Sequence, residues 1–459
     1  MKSAAMRFQA AVCAALSFVC AVHAEDCDPV WTPLGVGTNN WVNSMTVYDD
    51  GNGAALYAGG LFTEAGGSPA SRIAKWDGSN WSPLDGGVSS WVYAMTVFDD
   101  GDGPALYAGG GFTQAGGLPA NRVARWDGEE WKSLGTGTGN GVNNQVEAMV
   151  VFDDGSGPAL YVGGFFTMAG GQSANRVAKW DGTSWSPLGS GVSNTVFAMG
   201  VFDDGNGAAL YVAGDFDQAG GQPASRIAKW DGTSWTPLGS GVNNRVSALT
   251  VFDDGNGAAL YAAGSFSLAG GVPARVARWN GTSWSGVNGN TNGHTYAMTA
   301  FDDGNGPALY AAGNFTAISG TPFARIARWD GTSWSALGAG VNDWVRALQV
   351  YDDGTGPALY VGGQHLTAGG EPANRIARWG SPCSPANCPA DLTGSALDGV
   401  PDGIVNAFDL SYYINLWLAE DLAADITGPS LDGIPNGVVD AFDLNYYLDL
   451  WLNNPGICP

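Results

Sequence analysis

The chain has 459 residues, a formal net charge of −24 and 71 glycines, with only 14% of its residues charged. So acidic a polypeptide repels nucleic acid and anionic lipid, and no stretch after the N-terminal region is apolar for long enough to span a bilayer. The length exceeds one ordinary core, so several domains or a repeat array are expected, and the glycine load points to many tight turns.

The chain begins as an exported protein does. Lys2 and Arg7 precede an apolar run from Ala10 to Val22, and Val22-His23-Ala24 offers a small-residue cleavage site. Residues 1–24 therefore read as a secretory signal, and the mature protein is expected to be secreted or held at the cell surface. Four cysteines remain, Cys27, Cys383, Cys388 and Cys458. An even number in an oxidising compartment fits two disulfides.

A repeat follows. Asp-Asp-Gly begins at Asp49, Asp99, Asp153, Asp203, Asp253, Asp302 and Asp352, and about 50 residues separate one occurrence from the next. The unit from Val92 shows four β-prone runs, VYAMTVF, ALYAGG, RVARW and EWKSL, parted by Gly, Asp and Pro turn chemistry. Four strands in each of seven such units predict an all-β, seven-bladed β-propeller over residues 25–382. Tryptophans mark the register. Trp76, Trp126, Trp180, Trp230, Trp279, Trp329 and Trp379 end the third strand, and Trp81, Trp131, Trp185, Trp235, Trp284 and Trp334 begin the fourth. Each is expected to pack between blades.

The seventh unit lacks a fourth strand, while Trp31-Thr32-Pro33-Leu34 stands alone ahead of the first and matches Trp81-Ser82-Pro83-Leu84. The N-terminal strand is thus expected to complete the last blade and close the ring, leaving no open sheet edge. Cys27 and Cys383 flank that closure and are expected to bond, with Cys388 as the alternative partner of Cys27. The units resemble kelch-type repeats, through the double glycine after the second strand and the tryptophan of the third. They resemble still more the repeats of fungal cortical polarity-marker proteins, LYxGGxFTxAGG…IAxWDGxxWxxLG. The resemblance covers Trp31 to Trp379. It implies the propeller and leaves the activity open, because propellers host many.

The composition changes over residues 383–459. Two 34-residue segments each pair an acidic, Gly-containing loop with an apolar, helix-like run, which predicts a small α-helical, duplicated calcium-loop domain. Counting back from Asp409 gives Asn406, the Ile404 carbonyl, Asp402 and Asp398 as ligands. Counting back from Asp443 gives Asp440, the Val438 carbonyl, Asn436 and Asp432. The third loop position is apolar in both, at Val400 and Ile434. An expanded loop would instead draw its first ligands from Asp391 and Thr393, or from Asp425 and Thr427. Acidic turns without metal are the other reading. The segment resembles a dockerin of the cysteine-flanked kind found at the ends of exported planctomycete proteins. That resemblance implies calcium as cofactor, a cohesin-like or cell-surface partner, and pairing of Cys388 with Cys458.

Candidate chemistry in the propeller emerges by subtracting what repeats. The Asp-Asp-Gly motifs read either as a ring of cation sites or as tight turns in which Asp accepts backbone bonds. The second is favoured, since adjacent Asp side chains point in different directions. Fourteen cations recur at fixed positions, leaving Lys132, Arg245 and Arg346 outside the pattern. Along the first strand, two positions vary from blade to blade. One reads Trp41, Trp91, Gln145, Thr195, Arg245, His294 and Trp344; the other reads Asn43, Tyr93, Glu147, Phe197, Ser247, Tyr296 and Arg346. Residues two apart share one side of a strand, so both sets are expected on one rim of the central channel. Trp41, Trp91 and Trp344 belong to adjacent blades in a closed ring. With Asn39, Asn40, Asn43, Asn342 and Asp343 they are expected to form a glycan or protein site together with Tyr93, Arg245, Tyr296 and Arg346, the rings stacking and the amides bonding hydroxyls.

A non-catalytic binding or scaffold protein is the favoured function. A glycoside hydrolase or lyase carried on a dockerin-like module is the alternative. No Glu pair stands out, and Asp215 and Asp217 are the most irregular carboxylates. A kelch-like copper oxidase would need a His pair and a tyrosyl-cysteine link, whereas His294 and His365 lie in different blades and the repeat holds no cysteine.

Overall fold

The computed structural model of the chain describes residues 29–381. The signal segment, the four cysteines and every candidate calcium ligand from Asp391 to Asp443 lie outside the described residues. Among the described residues no helix is long and apolar enough to cross a membrane. They fall in two units. The smaller contributes Pro29, Val30, Asp352–Ala358, Gly380 and Ser381, and in it Asp352 Oδ1 accepts bonds from Gly354 and Gly356. The larger, Trp31–Tyr351 with Leu359–Trp379, carries the repeat.

Seven four-stranded antiparallel sheets form the repeat, one per blade. In the first blade the strands are Val42–Asp49, Ala54–Gly60, Ile73–Trp76 and Trp81–Pro83. The expected closure is present: Val30–Pro33 is the outermost strand of the seventh sheet, beside Ile376–Gly380. The first strands of all seven blades line a central channel. Each second-to-third-strand loop carries a two-residue ladder of its own, such as Glu64–Ala65 with Ser68–Pro69.

The core lies between blades. Tyr57 and Ile73 of the first blade pack with Val92, Leu106, Phe112 and Trp126 of the second, and equivalent clusters recur around the ring. Tyr57 and its six counterparts are wholly buried, each worth roughly 2–3 kcal/mol of transfer free energy. Within a blade the two tryptophans meet at 5.2–5.3 Å, as in Trp76–Trp81 and Trp31–Trp379. The fourth-strand indole also reaches across. Trp81 Nε1 donates to the Leu34 carbonyl at 3.0 Å, and Trp31 Nε1 donates to that of Leu337 at 2.8 Å. The N-terminal strand is therefore tied to both of its neighbours by the same bond that links other blades.

The Asp-Asp-Gly motifs are turns. Asp49 Oδ1 accepts from Gly51 and Gly53, while Asp50 Oδ2 accepts from Lys75 Nζ at 2.6 Å and the Tyr57 hydroxyl at 3.0 Å. Lys179–Asp154, Lys229–Asp204 and Arg125–Asp100 repeat the pairing. The other recurrent cation, Arg72, adopts φ 68° just before the third strand, as do Arg122, Arg176, Arg226, Arg325 and Arg375. Its backbone N–H donates to the Phe62 carbonyl while its own carbonyl accepts from Gly60, and that double bond holds the left-handed conformation.

The double glycine is explained by two different neighbours. A Cβ on Gly60 would stand 1.9 Å from the Trp41 carbonyl oxygen, so no side chain fits there. A Cβ on Gly59 would meet Val92 Cγ1 of the next blade, a side chain able to shift. Sister blades accordingly place Ala213, Ala263 and Ala312 at that first position but keep Gly214, Gly264 and Gly313 at the second.

One blade departs from the pattern in its core. Where six blades bury a phenylalanine, the seventh buries His365, with neither ring nitrogen hydrogen-bonded among the described residues. Burial pushes its pKa down to about 4, and Arg375 adds to the depression. The unfolded chain therefore binds a proton that the folded one refuses, so stability falls as pH drops from about 6.5 toward 4. His365→Phe is expected to raise stability at neutral pH by about 1–2 kcal/mol. It should also flatten the acid limb of the melting-temperature profile between pH 6.5 and 4. Thermal melts of the two proteins across that range check both.

Candidate functional site

In six blades the first strand starts with an irregularity that the sequence did not announce. Val42 pairs with Gly60 and Ser44 with Gly59, so Asn43 is an extra, unpaired residue, a β-bulge. The same register shift skips Tyr93, Glu147, Phe197, Ser247 and Tyr296. A bulge bends the strand and re-aims its side chain. Here all seven variable residues, Arg346 included, line one cavity of about 240 Å³ together with Arg245. Below it the channel continues past a ring of Met45, Met95, Met149, Met199, Leu249, Met298 and Leu348. The mouth is polar and variable, and the shaft beneath is apolar and repeated.

The cavity has two cations with different fates. Arg245 Nε donates to both oxygens of Asp215 at 3.0–3.1 Å, Nη2 joins the same carboxylate, and the guanidinium lies 4.0 Å from the Phe197 ring centre. Arg346 has no carboxylate partner among the described residues. It sits 5.2 Å from the Trp41 ring, 5.2 Å from that of Tyr296 and 5.8 Å from that of Trp344. The Gln364 amide, turned with its oxygen inward, accepts from Arg346 Nε and Nη2 at 3.0 Å each. Tyr296 also stacks on His294 at 4.3 Å, and His294 Nε2 lies 2.8 Å from Ser247 Oγ.

Across from this cluster is Glu147, with neither a salt bridge nor a hydrogen bond recorded among the described residues. Burial raises its pKa to about 7, against the opposing pull of Arg245 and Arg346. Burial likewise raises Tyr93 to about 12, helped by Glu147, and lowers His294 to about 4, helped by Arg245 and Arg346. Asn43 donates through Nδ2 to the Val92 carbonyl at 3.2 Å, and its Oδ1 is buried without a partner among the described residues.

The expected three-tryptophan platform is not what the structure builds. Trp41 and Trp344 both pack on Arg346, whereas Trp91 stands edge-on to Tyr93 at 5.9 Å and does not join them. The aromatic cluster thus spans blades six, seven and one rather than seven, one and two. Nor do the neighbouring amides face a ligand. Asn39 Oδ1 accepts from Thr63 and Glu64, Asn342 Oδ1 accepts from Leu366 and Thr367, and Asn40 and Asp343 bond the next residue's N–H. They pin loops. Asp217 accepts from Ser193 Oγ and, like Asp215, is committed within the scaffold.

Asn43, Tyr93, Arg245, Tyr296 and Arg346 do come together in the cavity wall. Glu147, Phe197 and Ser247 join them, and the sequence pointed to these only as members of a variable position. Gln364 was missed. It belongs to a third variable position, directly after the double glycine, which reads Leu61, Gly111, Phe165, Asp215, Ser265, Asn314 and Gln364. The blade-to-blade comparison that exposed the other two positions would have found it.

No family model and no curated protein matches the chain. Solved structures similar to it include two described as extracellular domains from B. thetaiotaomicron. One belongs to a hybrid two component system, at 13% identity and TM-score 0.45, and the other to a one component system, at 11% identity and TM-score 0.47. Each match covers 76% of this chain but only 39% of the other. A third is BBS1N in complex with ARL6DN, at 12% identity and TM-score 0.45, covering 77% of this chain and 96% of that one.

Glu147 gives the site a measurable cost. Its folded pKa lies above the unfolded value of 4.5, so the folded state holds the proton longer and stability declines as pH rises from about 4.5 to 7. Glu147→Gln is expected to leave stability unchanged near pH 4 and to raise it by on the order of 2–3 kcal/mol at pH 8. Paired denaturation curves at the two pH values provide the check.

Proposed function

We propose that this chain is a non-catalytic extracellular binding protein whose propeller mouth takes a saccharide. The observation that carries this reading is the concentration of non-repeating residues at one strand position, bulged in six blades, around one small polar cavity. Most of the rest of the ring repeats, and packing accounts for it. Drug-sized sites run to roughly 300–1,000 Å³, so a cavity of about 240 Å³ suits a single sugar ring better than a protein surface. Glu147, Asn43, Tyr93 and Tyr296 offer the acceptors and hydroxyls that sugar recognition uses. The C-terminal segment, in this reading, attaches the protein to a cohesin-like or cell-surface partner through its two calcium loops.

A polysaccharide-active enzyme is the second reading. One observation favours it: a buried carboxylate with a pKa near 7 is suited to general acid–base work. The two readings part on turnover. With the full exported chain, the binding reading expects retention of glycans on an array without depolymerisation of the same polysaccharides in solution.

Two outcomes are expected. Tyr93→Ala with Tyr296→Ala should weaken array binding at least about tenfold, while Lys132→Ala at the opposite end of a blade should not. Undiminished binding by the double variant would overturn the mouth as the site. Separately, EDTA should lower the helical signal and melting temperature of the C-terminal segment in the full chain, and added calcium should restore both. An unchanged melt would remove calcium from the reading.

A further inference from the structure

We infer that the sugar held at the mouth is an acidic one, its carboxylate taken by Arg346 and its hydroxyls by Glu147 and Asn43. The inference rests on the mouth being a saccharide site and adds which class of saccharide enters it.

The charge layout is the starting point. Arg245 is neutralised by Asp215, so Arg346 is the one cavity cation without a carboxylate partner among the described residues. Gln364 occupies its Nε and Nη2, and rings of Trp41, Tyr296 and Trp344 surround it. Nη1 carries no hydrogen bond among the described residues. A guanidinium held in this way is rigid, partly dehydrated and still has an unused donor, which is what recognition of a planar carboxylate requires. The three rings therefore serve to place a cation, and a neutral sugar would leave it unused.

The opposite wall supplies the second half. Glu147 belongs to blade three, and in a ring of seven the blades farthest from it are six and seven. The lone cavity carboxylate and the unpaired guanidinium thus line the same space without a bond between them. Two buried opposite charges held apart cost more than a buried pair, unless something bridges them. The bridge must present negative charge to Arg346 and hydrogen-bond donors to Glu147.

Asn43 decides what kind of donor. Its Oδ1 is a second buried acceptor without a partner, two blades from Glu147 around the ring. One ammonium would satisfy a single locus. Hydroxyls spread around a pyranose reach two. A uronate residue, with one carboxylate and several hydroxyls on a compact ring, matches all three groups, and Tyr93 lies between the two acceptors as a further partner.

Calorimetric titration of the full exported chain tests this. The probes are the methyl glycosides of gluco-, galacto- and mannuronate, each paired with its neutral hexoside, and alanine as a zwitterion. At least one uronate is expected to bind about tenfold or more tightly than its neutral partner. Arg346→Gln should bring that ratio to about one. Arg346→Lys, which keeps charge but not the fork, should retain part of it, and it guards against a misfolded Gln variant. Equal affinities within every pair would overturn the acidic-sugar inference and leave the saccharide site standing. Tighter binding of alanine than of any uronate would overturn the assignment of hydroxyls to Glu147 and Asn43. Failure of every glycoside, neutral and acidic, would overturn both this inference and the saccharide reading beneath it.

Discussion

A four-stranded sheet with two apolar faces has no interior of its own, and everything in this protein follows from that shortage. Each blade buries its tyrosine and its aliphatic residues only against the blades on either side. No blade is satisfied until the last meets the first. The N-terminal strand resolves the problem by lending Trp31 to the seventh sheet, where its indole bonds Leu337 and receives, through Leu34, the indole of Trp81. One strand of four residues thus converts an open stack with two sticky ends into a ring with none.

The same closure frees the mouth from structural duty. Below the bulge the channel wall repeats, and where the first residue of the pair is glycine, as at Gly59, Gly109, Gly163 and Gly362, a Val and a Met of the next blade fill the space it leaves. The second glycine lets the backbone before each first strand lie directly on the neighbouring strand. The bulge comes next, so the residue it carries is released from the ladder and from both sheet faces. Groups that would be intolerable in a core accumulate there, including a desolvated Glu147 and an Arg346 that no carboxylate among the described residues neutralises. Their cost is borne by a scaffold whose stability derives from recurring interfaces between blades. Arrangements of that sort are expected where ligand recognition, rather than folding, decides the residue.

Much of this was readable from the sequence because repetition performs an experiment in place. Seven blades, the displaced strand, and the turn role of the Asp pairs all show as recurrences, and the rim shows as their failure at the Trp41 and Asn43 positions. What stayed hidden was geometry without a compositional mark. A bulge at Asn43 or Phe197 is invisible because the extra residue is no glycine, so strict alternation seemed to govern the strand. Asn39 and Asn342 looked like hydroxyl partners, yet they close loops across 24 or 25 positions of sequence. The pairing of Arg245 with Asp215 spans 30 residues and two blades, and only the fold brings it about. His365, by contrast, was noticed as a histidine but not as the one substitution in a buried phenylalanine column.

The variable position at the mouth also has a consequence for how such a protein changes over time. Each blade contributes one letter to a seven-letter word written around the mouth, and the letters lie outside the clusters of buried side chains that keep the ring shut. Letters can therefore be exchanged singly, and a duplicated or recombined blade brings its own letter along without rewriting the rest. Circular order matters as much as content: moving the Glu147 blade next to the Arg346 blade would let the two charges pair and silence the word. Specificity in this architecture is a matter of sequence around a circle, as in a combination lock, with the wheels interchangeable and their order decisive.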